Sequence, residues 1–244
     1  MDIAKKMVDD VLPKYFQKSA STFEKKMGLF IMDDMVEFLG QELLINIWPD
    51  IIKILIQYVD NPSCEIRQAA SYGLGEFIKH TKVDYSNYAK DILDTIYKGL
   101  EVKQGEENEE EYYSAQDNVI TALGKIIEYK PDDYQNLKEI IDVWLHKLPI
   151  TTDLAESAGQ HNLLCDIVMK RSDIIFGDNN KNVPHIIRTL CKVLETKYSN
   201  DDVDKKIKII LSEMKKNSNL VALVPEAKKG AKEKVKKKID QYFG

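Results

Sequence analysis

What most constrains this chain is that it resembles itself at long period. The segment "AASYGLGEFIK" superposes on "NVITALGKIIE" with Leu74-Gly75 over Leu123-Gly124, and the same pattern returns around Asp33 in "FIMDDMVEF" and around Asp166 in "LLCDIVMK". From Asp33 through Gly75 and Gly124 to Asp166 the intervals are about 42, 49 and 42 residues, a repeat architecture's period. The longer middle interval holds the insertion "QGEENEEE", residues 104 to 111. A second set of helices is expected between these segments, beginning near Trp48-Pro49, Tyr88, Leu137 and Val183-Pro184. Leu137, Ile140, Ile141, Trp144, Leu145 and Leu148 show why, since they form one stripe at the helical period.

Each repeat is therefore an antiparallel helix pair, and its length matches the HEAT and armadillo range. The fold class expected is all-α, a HEAT-repeat α-solenoid winding as a right-handed superhelix, because one pair cannot bury both faces and must stack on its neighbours. Stacked repeats are expected over residues 1–225. Residues 226–244 are expected to form a basic C-terminal capping helix of the same solenoid, with Ala227, Ala231, Val235 and Ile239 at every fourth position and lysines between them. In "NPSCEIRQAASYGLGEF" the glycines invite a phosphate-loop reading, but the third glycine and the preceding strand are missing. Asn61 reads instead as the cap of a helix starting at Pro62, with Gly73 and Gly75 inside it on a face of small and apolar residues.

Composition removes several functional classes. A net charge of -5 opposes general nucleic-acid binding, which draws its affinity from a basic footprint. Cys64, Cys165 and Cys191 are odd in number, widely spaced and on apolar stretches, as reduced buried thiols would be. The sole glycosylation triplet, Asn61-Pro62-Ser63, is blocked by its proline. The N-terminus has no apolar leader core and the most apolar run, Leu43 to Val59, carries Asp50, Lys53 and Gln57, so neither a leader nor a membrane span is expected and the chain reads as soluble and intracellular. His80, His146, His161 and His185 have no ligand or triad spacing, and neither a zinc motif nor a nucleophile elbow is present. His161 and Cys165 lie four apart but supply two ligands only, and read as helix contacts. Asp33-Asp34 and Asp132-Asp133 read as solvated or first-turn carboxylates, and Trp48 and Trp144 as core anchors. No enzyme, catalytic residue, metal site or cofactor is expected.

Several segments resemble the C-terminal repeats of the karyopherin beta family of nuclear import receptors, in its importin-5 branch. They are "MGLFIMDDMVEFLG", "EIRQAASYGLGEF", "NVITALGKIIEYKPDD", "VWLHKLPITTDLAESAGQHNLLCDIV" and "FGDNNKNVPHII", and the similarity runs from about residue 10 to residue 225. These receptors are much longer solenoids, so the resemblance implies a C-terminal fragment of a transport receptor that shuttles between cytoplasm and nucleus. For the full-length receptor it implies three kinds of partner: protein cargo with basic signals, Phe-Gly nucleoporins and Ran-GTP. Family receptors grip Ran mainly with N-terminal repeats, so this stretch is not expected to bind it alone. No membrane or direct nucleic-acid contact is implied. The alternative function is a HEAT-repeat scaffold subunit of a cytosolic enzyme complex.

The strongest local charge feature is Glu106, Glu107, Glu109, Glu110 and Glu111, in which the chain departs from the family, as it does in the lysine-rich tail. Like charges oppose compact folding, so a solvated loop is expected, with the next helix resuming near Tyr112 to Ala115. The same charges make it a candidate contact for a basic partner.

Overall fold

The structure, a computed structural model, describes residues 3–39, 45–106 and 108–244. These residues are almost wholly helical, with no strand among them. After a run of short helical turns over residues 3–15, the longer helices are α1 (Thr22–Phe38), α2 (Trp48–Tyr58), α3 (Cys64–His80), α4 (Ser86–Glu101) and α5 (Glu109–Tyr129). There follow α6 (Leu137–Lys147), α7 (Leu154–Lys170), α8 (Val183–Val193), α9 (Asp201–Lys215), α10 (Val224–Lys228) and α11 (Glu233–Phe243). The chain forms two compact units, residues 1–135 and 136–244. In the first unit α1 packs on α3 and α3 on α5, and in the second α7 packs on α9 and α8 on α10. This is a HEAT/armadillo-like α-solenoid fold class.

Local chemistry sets where the helices start. Ser21 and Glu24 form a capping box, Glu24 Oε2 accepting the Ser21 N–H at 2.7 Å. Asp153 and Asn200 cap α7 and α9 with side-chain oxygens, while Pro49, Pro184 and Pro225 stand in the first turns of α2, α8 and α10. The reading of Asn61 as a cap with Pro62 as first helical residue is corrected: α3 begins at Cys64. Proline disfavours helical geometry in the residue before it, and Asn61 Oδ1 instead accepts the Ser63 N–H at 3.0 Å. Fully buried Arg67 then satisfies the Asn61 and Pro62 carbonyls at 2.7 and 3.1 Å.

In the first unit α1, α3 and α5 pack side by side, and α2 and α4 each pack against their partner helix and each other. Side-chain ties repeat at the period of the sequence. Thr95 Oγ1 donates to the Ile56 carbonyl 39 residues away, Gln68 Nε2 to Ser114 Oγ 46 away, and Lys130 Nζ to the Thr81 carbonyl 49 away. In the second unit Asn182 Nδ2 donates to Asp142 Oδ1 and the His185 imidazole to the Leu145 carbonyl, both across 40 residues. Each bond joins like places in successive repeats, which fixes their register. Trp144 is fully buried and its indole N–H donates to Gln160 Oε1 at 2.9 Å, tying α6 to α7. Trp48 is half-buried, with its ring edge-on to Tyr88 at 5.6 Å.

The C-terminal segment differs from the single helix read from its four-residue spacing. Gly230 takes φ +69° and breaks it into α10 and α11, a turn that only glycine adopts without strain. Ala227 and Ile239 are still fully buried, and α11 packs on α8, α9 and α10. No helix among the described residues is long and apolar enough to cross a membrane.

Candidate functional site

The glutamate run lies at the start of α5. Glu106 is exposed in the connection, Glu107 lies outside the described residues, and Glu109, Glu110 and Glu111 are exposed in the first helical turn. The expectation that the helix resumes near Tyr112 to Ala115 is thus corrected. Asn108 Oδ1 accepts the Glu111 N–H at 2.9 Å, and carboxylates in a first turn are favoured by the helix dipole. Just beyond, Tyr112 Oη donates to the Val102 carbonyl at 3.0 Å and Gln116 Nε2 to the Gly99 carbonyl at 3.2 Å. The acidic cluster is therefore held on a rigid support, an arrangement suited to attracting positive charge rather than to chemistry.

A second charged constellation is buried between α1, α3 and α5. Glu76 Oε1 accepts from Lys125 Nζ at 2.5 Å, with the two side chains 3% and 7% exposed, and Glu76 Oε2 receives Lys79 and His80 at 3.0 Å each. Burial alone would push the Glu76 carboxyl up, but the hydrogen bond and charge of Lys125, with those of Lys79, hold it below its ordinary value. Asp33 lies nearby. The reading of Asp33 as solvated is corrected too: it is 4% exposed and neither carboxyl oxygen has a hydrogen-bond partner among the described residues. Burial first, then the negative charges of Asp34 and Glu76, raise it well above the ordinary carboxylate value.

The glycines of "YGLG" make room for these charges. A methyl group on Gly73 would overlap Asp33 Oδ1, and one on Gly75 would meet Lys125 Cδ at 2.9 Å. This constellation escaped the sequence reading although a signal was present. The residue after Gly75 is Glu76 and the residue after Gly124 is Lys125, opposite charges at one register position of adjacent repeats. In the second unit Asp166, the fourth register residue, likewise accepts from Lys206 Nζ at 2.5 Å, and Asn162 Oδ1 accepts from the same amine at 2.7 Å.

His161 and Cys165 are buried on α7. His161 Nδ1–H donates to the Tyr198 carbonyl at 2.8 Å, and burial pulls the imidazole down to about 4, so it is neutral. Burial pushes the Cys165 and Cys191 thiols up to about 12, which leaves them unreactive. No group of three or more metal-ligating side chains occurs among the described residues.

The second unit also presents an apolar groove of about 310 Å³ between α7 and α9, lined by Val168, Met169, Phe176, Ile209, Met214 and Leu220. Met169 and Ile209 are 52% and 43% exposed at its mouth, so the groove is open to an aromatic or aliphatic side chain.

No family model matches the sequence. In structure, a designed armadillo repeat protein aligns over 95% of this chain and 98% of its own, with TM-score 0.49 and 18% identity. In sequence, the chain is similar to the "Probable importin-5 homolog" of Dictyostelium discoideum, 27% identical over 203 residues, which is 81% of this chain and 19% of that protein. Importin subunit beta-3 of Saccharomyces cerevisiae is 23% identical over 186 residues, 75% of this chain and 17% of its own length. Importin-4 of Homo sapiens is 24% identical over 76 residues, 31% of this chain and 7% of its own. The chain thus spans no more than 19% of the length of the curated relatives it matches. These curated homologues are importins of the karyopherin beta family, to which the chain is similar at modest identity over about 80% of its length.

Proposed function

We propose that this chain is part of a nuclear transport receptor that imports cargo proteins through the nuclear pore by binding protein partners without catalysis. The observation that carries this reading is the similarity to the importin-5 homolog over 81% of the chain. Repeat-spaced side-chain ties support it as well, because a row of small interfaces can change curvature on partner binding with no bond chemistry. In this reading the whole receptor shuttles between cytoplasm and nucleus and meets basic cargo, Phe-Gly nucleoporins and Ran-GTP. This stretch alone leaves Ran unbound. The groove between α7 and α9 has the size and lining for a phenylalanine side chain.

Titrating the chain with a Phe-Gly nucleoporin segment tests the reading. Saturable binding, weakened by Ile209→Asp, is expected. The scaffold alternative is favoured if the segment does not bind and the chain instead purifies from cell extract with a kinase or phosphatase assembly.

The acidic cluster of Glu106, Glu109, Glu110 and Glu111, with Glu107 beside it in sequence, is proposed as the landing site for basic cargo. Charge of this kind raises the association rate more than it deepens affinity. Because Asn108 caps α5, the appropriate variant changes the glutamates to glutamine and leaves Asn108 in place. Association with a lysine-rich cargo segment should slow severalfold at low salt and match the unaltered chain at 1 M salt, where the Debye length is about 3 Å. Equal rates at low salt would remove the steering role.

A further inference from the structure

Residues 228–238 carry seven lysines against one acid, Glu233, in a chain whose net charge is -5. Three of the lysines are occupied: Lys228 pairs with Asp240, Lys229 with Glu226, and Lys238 donates to the Leu194 carbonyl. Lys232, Lys234, Lys236 and Lys237 have no ion pair among the described residues, and all but half-buried Lys236 are exposed. Burial first and the charge of Lys234 second hold the Lys238 amine below its ordinary value, against the opposing charges of Glu195 and Asp204.

The support under these lysines is rigid. Ile239 is fully buried, and Arg188 anchors the end of α10 through the Glu226 and Ala227 carbonyls at 3.2 and 3.0 Å. The apolar side of α11 is thus spent on α8, α9 and α10, so the helix cannot sink that side into a bilayer. The segment contains no arginine, which denies it the bidentate fork that matches phosphate. Its aromatic residues, Tyr242 and Phe243, are half-buried and offer no platform on which bases could stack. What remains is a compact group of separate point charges, Lys234 and Lys237 on one face about 4.5 Å of helix rise apart, with Lys232 just before the helix. Separate ammonium groups pair with carboxylates one at a time, which suits successive acidic side chains of a peptide.

We propose that the lysine face of α11, with the turn before it, is a docking surface for an acidic, extended peptide segment rich in aspartate and glutamate. The surface is independent of the groove and of the glutamate cluster assigned to cargo, and it takes a partner of opposite charge to that cargo.

The test is fluorescence anisotropy with a labelled Asp- and Glu-rich peptide. The double variant Lys234→Glu/Lys237→Glu should weaken binding at least about tenfold at low salt, equivalent to about 1.4 kcal/mol, and the difference should vanish at 1 M salt. Lys18→Glu, an exposed reversal in the other unit, should leave binding unchanged. Circular dichroism of the double variant checks that α11 stays folded, and the milder Lys234→Gln/Lys237→Gln pair replaces it if it does not. Peptide binding indifferent to these changes overturns the proposal. So does equal or tighter binding of single-stranded RNA or of phosphatidylserine vesicles in the same assay, since either would assign the lysines to phosphate.

Discussion

Replacing Trp144 with alanine is expected to lower stability by about 3 to 5 kcal/mol. Trp144 has no exposed surface, so truncation removes a large apolar contact area and leaves a void that the packed helices fill only in part. It also orphans Gln160, 3% exposed, whose Oε1 accepts the indole N–H at 2.9 Å. An unsatisfied buried amide adds about 1 to 3 kcal/mol to the cavity cost. Trp144→Phe helps separate the two contributions, because it retains most of the volume while losing the donor to Gln160. Urea unfolding of both variants should give a large drop in midpoint for alanine and a smaller one for phenylalanine. An unchanged melting temperature for Trp144→Ala would mean that α6 does not pack through this face.

The success of that register in the sequence has a simple cause. Ile140, Ile141, Trp144, Leu145 and Leu148 are all buried, as the stripe requires, because apolar spacing and helix geometry depend on the same local period. The places where reading failed are those where a residue's fate is decided by another helix or by a cap. Asp33 reads as solvated because a carboxylate usually is, yet its burial is permitted by Gly73, a residue of α3 that is distant in sequence. The first turn of α5 was misplaced for a different reason. Repulsion among neighbouring glutamates costs a few tenths of a kcal/mol per pair, whereas an asparagine cap contributes about 1 kcal/mol and each first-turn carboxylate about 0.3 to 1. Cap and dipole together win, and the helix begins at Glu109. In the tail, the four-residue spacing predicts the buried positions Ala227 and Ile239 but cannot see the left-handed turn at Gly230 that divides them. The two charged surfaces proposed for binding are legible as charge runs, whereas the apolar groove between α7 and α9 is not, because it forms only where two helices meet. The geometry of the charged surfaces, a capped helix start and a docked basic helix, is not legible either.

Lys125→Met should be about as costly as the loss of Trp144, on the order of 3 to 5 kcal/mol, because it leaves the Glu76 carboxylate buried without its main counter-charge. Lys79 and His80 remain within 3.0 Å of Glu76 Oε2, but both side chains are about one-third exposed and water weakens their hold. The double variant Glu76→Leu/Lys125→Met should recover most of the loss, since a desolvated pair exchanged for apolar groups is often nearly neutral. The pH dependence gives the sharper result. In the unaltered chain the Glu76 carboxyl sits below its ordinary 4.5, so the stability it contributes is present above that pH and is lost as pH falls through the lower folded value. Without Lys125, burial dominates and the folded value rises above 4.5. The folded state then holds a proton that the unfolded chain has released, so stability falls as pH rises from about 4.5 and returns on acidification. Asp33, already raised by burial and by Glu76, and lowered by Lys125, shifts further in the same direction when Lys125 is removed. Placing Lys125→Met in an Asp33→Asn background therefore isolates the Glu76 contribution. Urea midpoints measured from about pH 2.5 to pH 8 should rise with pH through the Glu76 window, below about 4.5, in the Asp33→Asn chain and fall as pH rises above about 4.5 in the Asp33→Asn/Lys125→Met chain. If the two slopes have the same sign, or if Lys125→Met costs less than about 1 kcal/mol, the pair is solvated and the charges between α1, α3 and α5 are not the buried core of the first unit.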